Sequence, residues 1–567
     1  MSGVCYRDGR HDTERAAAHR ALAAAVLAAC WPWAAAAEQY RQGVYLSNQV
    51  NVAADGRNIV GDAANEPSLA LNPLDPANIV VSWRQFDSVA SSFRQGGWAY
   101  TADAGGHWHF VGTITPGEGR SNPTLDVDAL GHFYYQSLHF DPTYTFVQDI
   151  QVIKSLDGGR SWEAPAFAYG QGGDKAQMAV DRSGTASDGH VYLVWRDCLA
   201  EKCFVRSTDR GASFQPPLAI PSTPTFGTMR VGNDGELYLA GRLEPPEFDP
   251  EQPDRNLHRH VFSRSLNARE PAQIPSFDTR EVDLGGLAPL FLFKQNPNQY
   301  GPIGDVQVGV DASSGAMRGQ LYLLATIDPP GEDNLDISFV RSLDGGDSWS
   351  APVRINDDGR SQHHWNWFGM MGVAPNSRID AVWYDTRDSA SYKVSRLYYS
   401  YSWDGGQTWS KNVPVSPAFD TTLAYPHAST KIGDYSTLVS DANAAHIAYT
   451  ATFNGEQDVY YLQVFPDCNQ NGQSDVADIA QRRVGDTNAN HLPDVCETIR
   501  VVGDIDADRD VDQADIDRVL AGRRVLAGRG RRVASGDPRD IDGNGAINLL
   551  DARKLAASCT RPRCAND

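Results

Sequence analysis

The sequence predicts an all-β chain arranged as a seven-bladed propeller, with a six-bladed ring as the alternative, followed by a small acidic α module. Three observations predict it. An octet carrying Asp and Gly recurs five times, pairs of short strand-like segments precede each copy, and past residue 465 the composition shifts to regularly spaced Asp and Asn. Across 567 residues, 51 Gly and 32 Pro punctuate the chain too often for a helical bundle, and 10% aromatics are too many for a disordered one. The formal charge of −21 disfavours a non-specific nucleic-acid binder, because affinity for phosphate needs a basic surface. Only eight of the 50 basic residues are Lys, so an Arg in any one loop is partly a matter of composition.

Residues 1–37 read as a secretory signal: Arg7, Arg10, Arg15 and Arg20 precede an apolar run at 21–29. Trp31-Pro32-Trp33 then leads to an Ala-rich cleavage context before Glu38. The expected location is secreted or extracellular, or attached to a cell surface through a partner. Cys5 and Cys30 leave with the leader. The other six cysteines fall in close pairs, Cys198 with Cys203, Cys468 with Cys496 and Cys559 with Cys564, and in an exported chain they are expected as disulfides.

The octet starts at Thr101, Ser155, Ser207, Ser342 and Ser402, carries Asp103, Asp157, Asp209, Asp344 and Asp404, and ends on Trp108, Trp162, Phe214, Trp349 and Trp409. A decayed sixth copy stands at Ser265-Leu266-Asn267. The pattern suits a tight turn between two strands: the carboxylate accepts backbone N–H bonds, the glycines take φ > 0, and the aromatic packs between neighbouring sheets. These five Asp are therefore structural. Seven strand pairs share one alternation, at 67–71 with 79–83, 124–127 with 132–135, 178–180 with 191–195 and 229–231 with 236–239. The rest are 306–310 with 320–324, 370–373 with 379–383, and 435–439 with 446–449, the last continued at 458–461. The seventh unit lacks an outermost strand, and the segment 40–52 is expected to supply it and close the ring. The domains are thus 1–37 signal, 38–465 propeller, 466–499 a disulfide-tied spacer and 500–567 a tandem loop module.

In a propeller, the loops leaving each second strand and leading into each first strand meet on one face. The leaving loops carry Arg84 and Asp87, His139 and Asp141, Arg196 and Asp197, Arg242 and Glu244, Asp328, then Asp385, Arg387 and Asp388, and Glu456. The loops leading in carry Glu66, Arg120, Asp174-Lys175, Asp305, His363-His364 and Asp434-Tyr435. Almost every blade sends charge to that face, although loop tips are charged in any protein.

With Asn65-Glu66-Pro67-Ser68 and Lys431-Ile432-Gly433-Asp434-Tyr435, the five octets make residues 65–465 resemble the sialidase-like superfamily of Asp-box (BNR-repeat) propellers. That resemblance implies glycosidase activity, exo-α-sialidase being best known, with an arginine triad for the substrate carboxylate, an Asp acid/base and a Tyr–Glu nucleophile pair. The Phe/Tyr-Arg-Ile-Pro motif of sialidases is absent, and seven units replace their six. On this resemblance Asp87 or Asp174 is the expected acid/base, and Tyr435 with Glu456 the nucleophile pair. Arg84, Arg196 and Arg387 are the expected carboxylate binders, since a planar guanidinium fork suits a carboxylate better than Lys.

After Phe465, side-chain oxygens recur at positions 1, 3, 5, 9 and 12 of 12-residue loops. They are Asp467, Asn469, Asn471, Asp475 and Asp478; Asp486, Asn488, Asn490, Asp494 and Glu497; Asp504, Asp506, Asp508, Asp512 and Asp515; and Asp540, Asp542, Asn544, Asn548 and Asp551. This spacing wraps six to eight oxygens around Ca²⁺, the expected cofactor. The last two loops, each followed by a helical run at 516–520 or 552–557, resemble a type I dockerin, which implies docking onto a cohesin-like partner. Arg509 stands at that module's usual Gly position, and Gln513-Ala514 and Leu549-Leu550 replace its usual Ser-Thr pair. The expected function is a secreted glycoside hydrolase acting on an extracellular glycan or polysaccharide, sialidase-like or polysaccharide-degrading. The alternative is a non-catalytic glycan- or protein-binding propeller anchored through its tail.

Overall fold

The computed structural model describes residues 38–567 except 171–172, 197–201, 244–256, 290–295, 300, 427–430, 470, 487–492, 496–510, 512, 527–538, 542–545, 558 and 560–567. The expected signal lies outside the described residues. So do Cys198, Cys496 and Cys564, one partner of each expected disulfide, and the expected calcium ligands Asn488, Asn490, Glu497, Asp504, Asp506, Asp508, Asp512, Asp542 and Asn544. The chain divides into two compact units that meet between Val464 and Phe465.

The first unit is a seven-bladed propeller. The first blade orders Ala63–Leu71, Ile79–Phe86, Arg94–Thr101 and His109–Thr113 from inside out, all antiparallel. The second repeats this with Arg120–Val127, Phe133–Phe140, Val147–Ser155 and Ala166–Gly170. The third blade has three strands, Asp174–Val180, Val191–Arg196 and Phe204–Ser207, with a single bridge from Phe204 to Leu218 where a fourth would stand. Blades four, five and six begin at Met229–Val231, Gln307–Val310 and Asn366–Val373. The seventh, Thr437–Ser440, Ala445–Ala451 and Asp458–Val464, is finished by a hairpin from the other end of the chain. Tyr45–Gln49 pairs with Asp458–Val464, Ser47 opposite Leu462, and Gln39–Gln42 adds the outer edge. The ring closes through the segment the sequence pointed to, with two strands rather than one.

Second strands are buried on both faces because each blade is packed between two others; Ile79–Phe86 has no exposed residue. Trp83, Trp195, Trp367 and Trp383, all 1% exposed or less, fill the spaces between sheets. Each octet sits where the third strand turns outward. At Asp157, Oδ1 accepts from the backbone N–H of Arg160 and Ser161 at 3.1 and 2.9 Å, while Ser155 Oγ accepts from Gly159 N at 2.9 Å. The closing aromatics reach back to the preceding blade: Trp108 lies 5.3 Å from Tyr461, Trp349 5.2 Å from Phe262 and Trp409 5.2 Å from Phe339. The decayed copy keeps the device, with Asn267 Oδ1 accepting from Ser276 N at 2.8 Å across a longer loop.

The second unit contains helices Asp475–Ala480, Gln513–Leu526 and Leu549–Ala556. Val511, Ile516, Val519, Ile547, Ala552 and Leu555 form its apolar cluster. Asn548 and Asp551 cap the last helix reciprocally. No helix among the described residues is long and apolar enough to cross a membrane.

Candidate functional site

The axis of the ring is marked by backbone strain. Five residues before the end of its innermost strand, each of five blades places a non-glycine residue in the left-handed region: Glu66 (φ 56°), Asn122 (50°), Lys175 (51°), Phe226 (50°) and Phe368 (51°). In the other two blades the same position is Asp305 or Tyr435, and Gly304 or Gly433 just upstream carries the positive φ. The strand register slips there in blades one, two, three and six. Each such residue costs roughly 1–3 kcal/mol, and strain of this kind gathers at functional sites. The bulge re-aims its side chain, so the ring brings Glu66, Lys175, Asp305 and Tyr435 into one electrostatic field.

These side chains form a buried charge network. Arg84 Nη2 lies 3.2 Å from Glu66 Oε1, and Arg84 Nε donates to Asn65 Oδ1 at 2.8 Å. Lys175 pairs with Asp434, Lys431 with the same carboxylate, and Lys431 Nζ stands 3.8 Å from Glu66. Burial alone would raise the Glu66 carboxyl, but Arg84, Lys175 and Lys431 outweigh it and hold it below the usual range. Burial pushes Lys175 down against the pull of Glu66, and pushes Lys431 well down with Lys175 adding repulsion. Asp305 is pushed up to about 6, by burial first and with Glu66 repelling it, although Lys175 and Arg242 pull the other way. The Phe226 ring is bordered by three cations, with Lys175, Arg196 and Arg242 at 5.8, 5.1 and 5.3 Å from its centroid.

Above this network the groups are more open. Asp174 is 41% exposed, accepts from Asn122 Nδ2 at 3.2 Å, and has Arg196 Nη1 at 3.9 Å. Arg196 is 26% and Lys431 21% exposed. Arg94 stacks on Phe140 and Tyr144 at 5.0 and 5.2 Å and donates to Ser121 Oγ at 3.0 Å. Below the network lies an axial cavity of about 190 Å³, lined by innermost strands and bounded by Asp305 and Tyr435.

The expected site residues therefore separate. Asp174, Arg84, Arg196 and Tyr435 come to the axis. Asp87 is exposed, accepting only a 3.3 Å bond from Gln95 among the described contacts. The Tyr435–Glu456 pair is not formed. Tyr435 Oη donates to the Pro123 carbonyl at 2.8 Å, and burial and then Glu66 push the phenol well up, which opposes a nucleophilic phenolate. Glu456 instead accepts from Asn58 Nδ2 at 3.0 Å and Gly61 N at 2.7 Å, holding the N-terminal segment. Arg387 is committed elsewhere: its guanidinium binds Asp385 at 2.8 Å, Asp357 at 2.6 Å and Asn412 at 3.1 Å, and stacks 4.2 Å from the Tyr398 ring. It ties neighbouring loops together. Sequence reasoning gave no role to Lys431, Arg94 and Phe226. Lys431 stood inside the quoted Lys-Ile-Gly-Asp-Tyr string and was one of only eight lysines, but nothing in the sequence set Arg94 or Phe226 apart.

In the first tail loop, Asp467 accepts from the backbone N–H of Asn471 and Gly472 at 3.0 and 2.8 Å, and Asn471 Nδ2 donates to Asp478 at 2.6 Å. Gly472, at the turn position of the loop, has φ 81°. Asp475 is pushed up to about 6 by burial and by Asp467 and Asp478. These crowded oxygens fit a hard cation, although no group of three or more His, Cys, Asp or Glu poised for a metal occurs among the described residues.

No family model matches the sequence, and no curated protein matches it. Among solved structures, the chain is similar to a protein of unknown function from Dyadobacter fermentans, at 14% identity and TM-score 0.36, over 71% of this chain and 98% of that one. It is also similar to a Hadza microbial sialidase, at 13% and 0.37 over 70% and 65% of the two chains. A polysaccharide lyase described as an ulvan lyase matches at 12% and 0.36, over 71% and 93%.

Proposed function

We propose that the protein is a secreted, glycan-active propeller that engages an anionic glycan at the axial face and hydrolyses an O-glycosyl bond there. One observation carries this reading: Asp174 stands half-exposed beside Arg196, over a field built by Lys175, Lys431, Arg84 and Arg94. Such a mouth attracts a sugar carboxylate or sulfate, and it places one accessible carboxyl where it could protonate a departing glycosidic oxygen or take a proton from attacking water. Arg196 binds the acidic group, while Arg84 works one layer down by holding Glu66 in place. In the tail, Asp467, Asn469, Asn471, Asp475 and Asp478 would hold Ca²⁺, with Asp486, Asp494, Asp515, Asp540, Asn548 and Asp551 serving the later loops. That calcium would order a module suited to a cohesin-like partner.

A second reading, a non-catalytic glycan-binding propeller, is favoured by one specific feature. Glycoside hydrolysis commonly uses two carboxyls about the bond, yet Glu66, Asp434 and Asp305 are at most 6% exposed and lie against cations. A screen of purified full-length protein against uronate-, sulfate- and sialate-bearing glycans beside neutral ones separates the two. Hydrolysis lost in Asp174→Asn at unchanged melting temperature supports the enzyme. Binding without turnover, weakened in Arg196→Ala, supports the binder, and neither binding nor turnover on acidic glycans removes both.

A further inference from the structure

Where the ring closes, two carboxylates are buried, and neither has an ion-pair partner among the described residues. Asp458 opens the third strand of the seventh blade and is 0% exposed, and Asp62 precedes the innermost strand of the first blade and is 4% exposed. The strongest charges acting on them are carboxylates: Asp458 and Glu456 on Asp62, and Glu456 and Glu38 on Asp458. Carboxamides fill the remaining space. Asn51 donates to Asp458 Oδ1 at 2.5 Å, Asn454 to Oδ2 at 2.7 Å, and Gln85 to Asp62 Oδ2 at 2.8 Å. Two oxygens in this neighbourhood are buried with no hydrogen-bond partner, Asp62 Oδ1 and Gln49 Oε1. An unsatisfied buried carboxylate oxygen in the field of a second buried carboxylate is costly as it stands.

We propose that this seam is a binding site for one hard divalent cation of the Ca²⁺ class, with Asp62 and Asp458 as its carboxylate ligands. Two carboxylates match the charge of the ion, and Gln49 Oε1, buried without a hydrogen-bond partner, would with water complete an all-oxygen shell. Burial pushes both carboxyls up to about 7, as expected of groups that lack a compensating charge. The placement gives the ion a task. Asn51 follows the strand Tyr45–Gln49 that closes the seventh blade, Asp458 belongs to that blade, and Asp62 belongs to the first. One ion would clamp the N-terminal segment, the last blade and the first blade at the joint of the ring. The site is separate from the tail loops and independent of the glycan reading.

Terbium, a luminescent stand-in for Ca²⁺, tests it in the full-length chain. The sequence after Phe465 contains no Trp, Tyr or Phe, whereas Trp83 Nε1 donates at 2.6 Å to Gln85, the residue bonded to Asp62. Emission that survives Asp467→Ala but is lost with the Asp62 and Asp458 carboxylates therefore reports the propeller site and not the tail. The expected result is saturable sensitised emission at one ion per chain, displaced by Ca²⁺, and lost in Asp62→Asn/Asp458→Asn. If that variant does not fold, Asp62→Asn alone is read the same way. Absence of saturable emission from folded wild type, or emission unchanged in the variant, overturns the proposal. So does a rise in melting temperature of the variant in saturating Ca²⁺, since relief of repulsion would then outweigh loss of an ion.

Discussion

Lys175 on the third blade and Asp434 on the segment leading into the seventh form an ion pair near the axis, and each side chain is 5% exposed. The pair joins two blades that are not neighbours in the ring. Lys431, 21% exposed, reaches the same carboxylate from its own loop, so one buried and one partly exposed ammonium depend on Asp434. Asp434→Asn should leave them without their nearest counter-charge and cost about 3–5 kcal/mol, the usual penalty for breaking a buried pair from one side. Denaturant unfolding measures it; a midpoint within error of wild type would mean that water reaches these lysines. Lys175→Met with Asp434→Leu should recover part of the loss, because only Lys431, which keeps Glu66 at 3.8 Å, then lacks Asp434.

Asp305 sets a pH dependence of the opposite sign to an ordinary ion-paired carboxylate. Its folded value, near 6, lies above the unfolded value of about 3.9, so the folded chain holds its proton more tightly. The contribution is complete below about pH 4 and is lost as pH rises through 6. Thermal melts of wild type and Asp305→Asn should therefore diverge between pH 4 and 6 and run parallel above 7. Parallel curves throughout would show that Lys175 and Arg242 neutralise its burial.

The octet carboxylates are held by local donors, not by substrate. Asp157→Ala would remove the acceptor of the solvent-exposed backbone N–H groups of Arg160 and Ser161, which water can take up, and should cost about 0.5–1.5 kcal/mol. Any activity per folded molecule should be unchanged. Loss of activity at full stability would give the octets a role that their geometry does not suggest.

The blades were legible because a turn chemistry repeated five times is a local signal. Thr101, Ser155, Ser207, Ser342 and Ser402 each open an octet, and the strand pairs before them alternate at period two. Closure by the Tyr45–Gln49 hairpin could be read from a missing strand. The site was legible only in part. Position on the charged face is set by loop order, so Asp174, Arg84 and Arg196 could be named. Which charges pair is set across the ring, and nothing near Tyr435 or Glu456 in sequence shows that one phenol bonds Pro123 while the other group binds Asn58 and Gly61. The left-handed ring was also hidden, because Lys175, Phe226 and Phe368 carry no local preference for φ > 0.

Arg387 illustrates the same limit and yields its own test. Its bonds to Asp385, Asp357 and Asn412 engage the guanidinium on several sides, so Arg387→Ala should destabilise by about 1.5–3 kcal/mol through lost charged hydrogen bonds. Turnover or glycan affinity of the folded fraction should stay near wild type. A selective loss of affinity without a stability change would return Arg387 to the binding site.

The tail should depend on calcium for its order. Asp467, Asp475 and Asp478 crowd one short loop, and Asp475 is already pushed up to about 6 by burial and its two neighbours. A bound divalent ion would offset that repulsion and hold the loop shut, whereas its removal leaves like charges facing one another. Limited proteolysis in EGTA should cut within residues 466–567 and leave residues 38–465 as a resistant core, and added Ca²⁺ should protect the tail. Asp467→Ala should lower the protecting Ca²⁺ affinity of the first loop without touching the sensitised terbium signal of the propeller. Equal cleavage with and without Ca²⁺ would show that the Asp and Asn spacing after residue 465 is a solvated acidic tail and not a set of calcium loops.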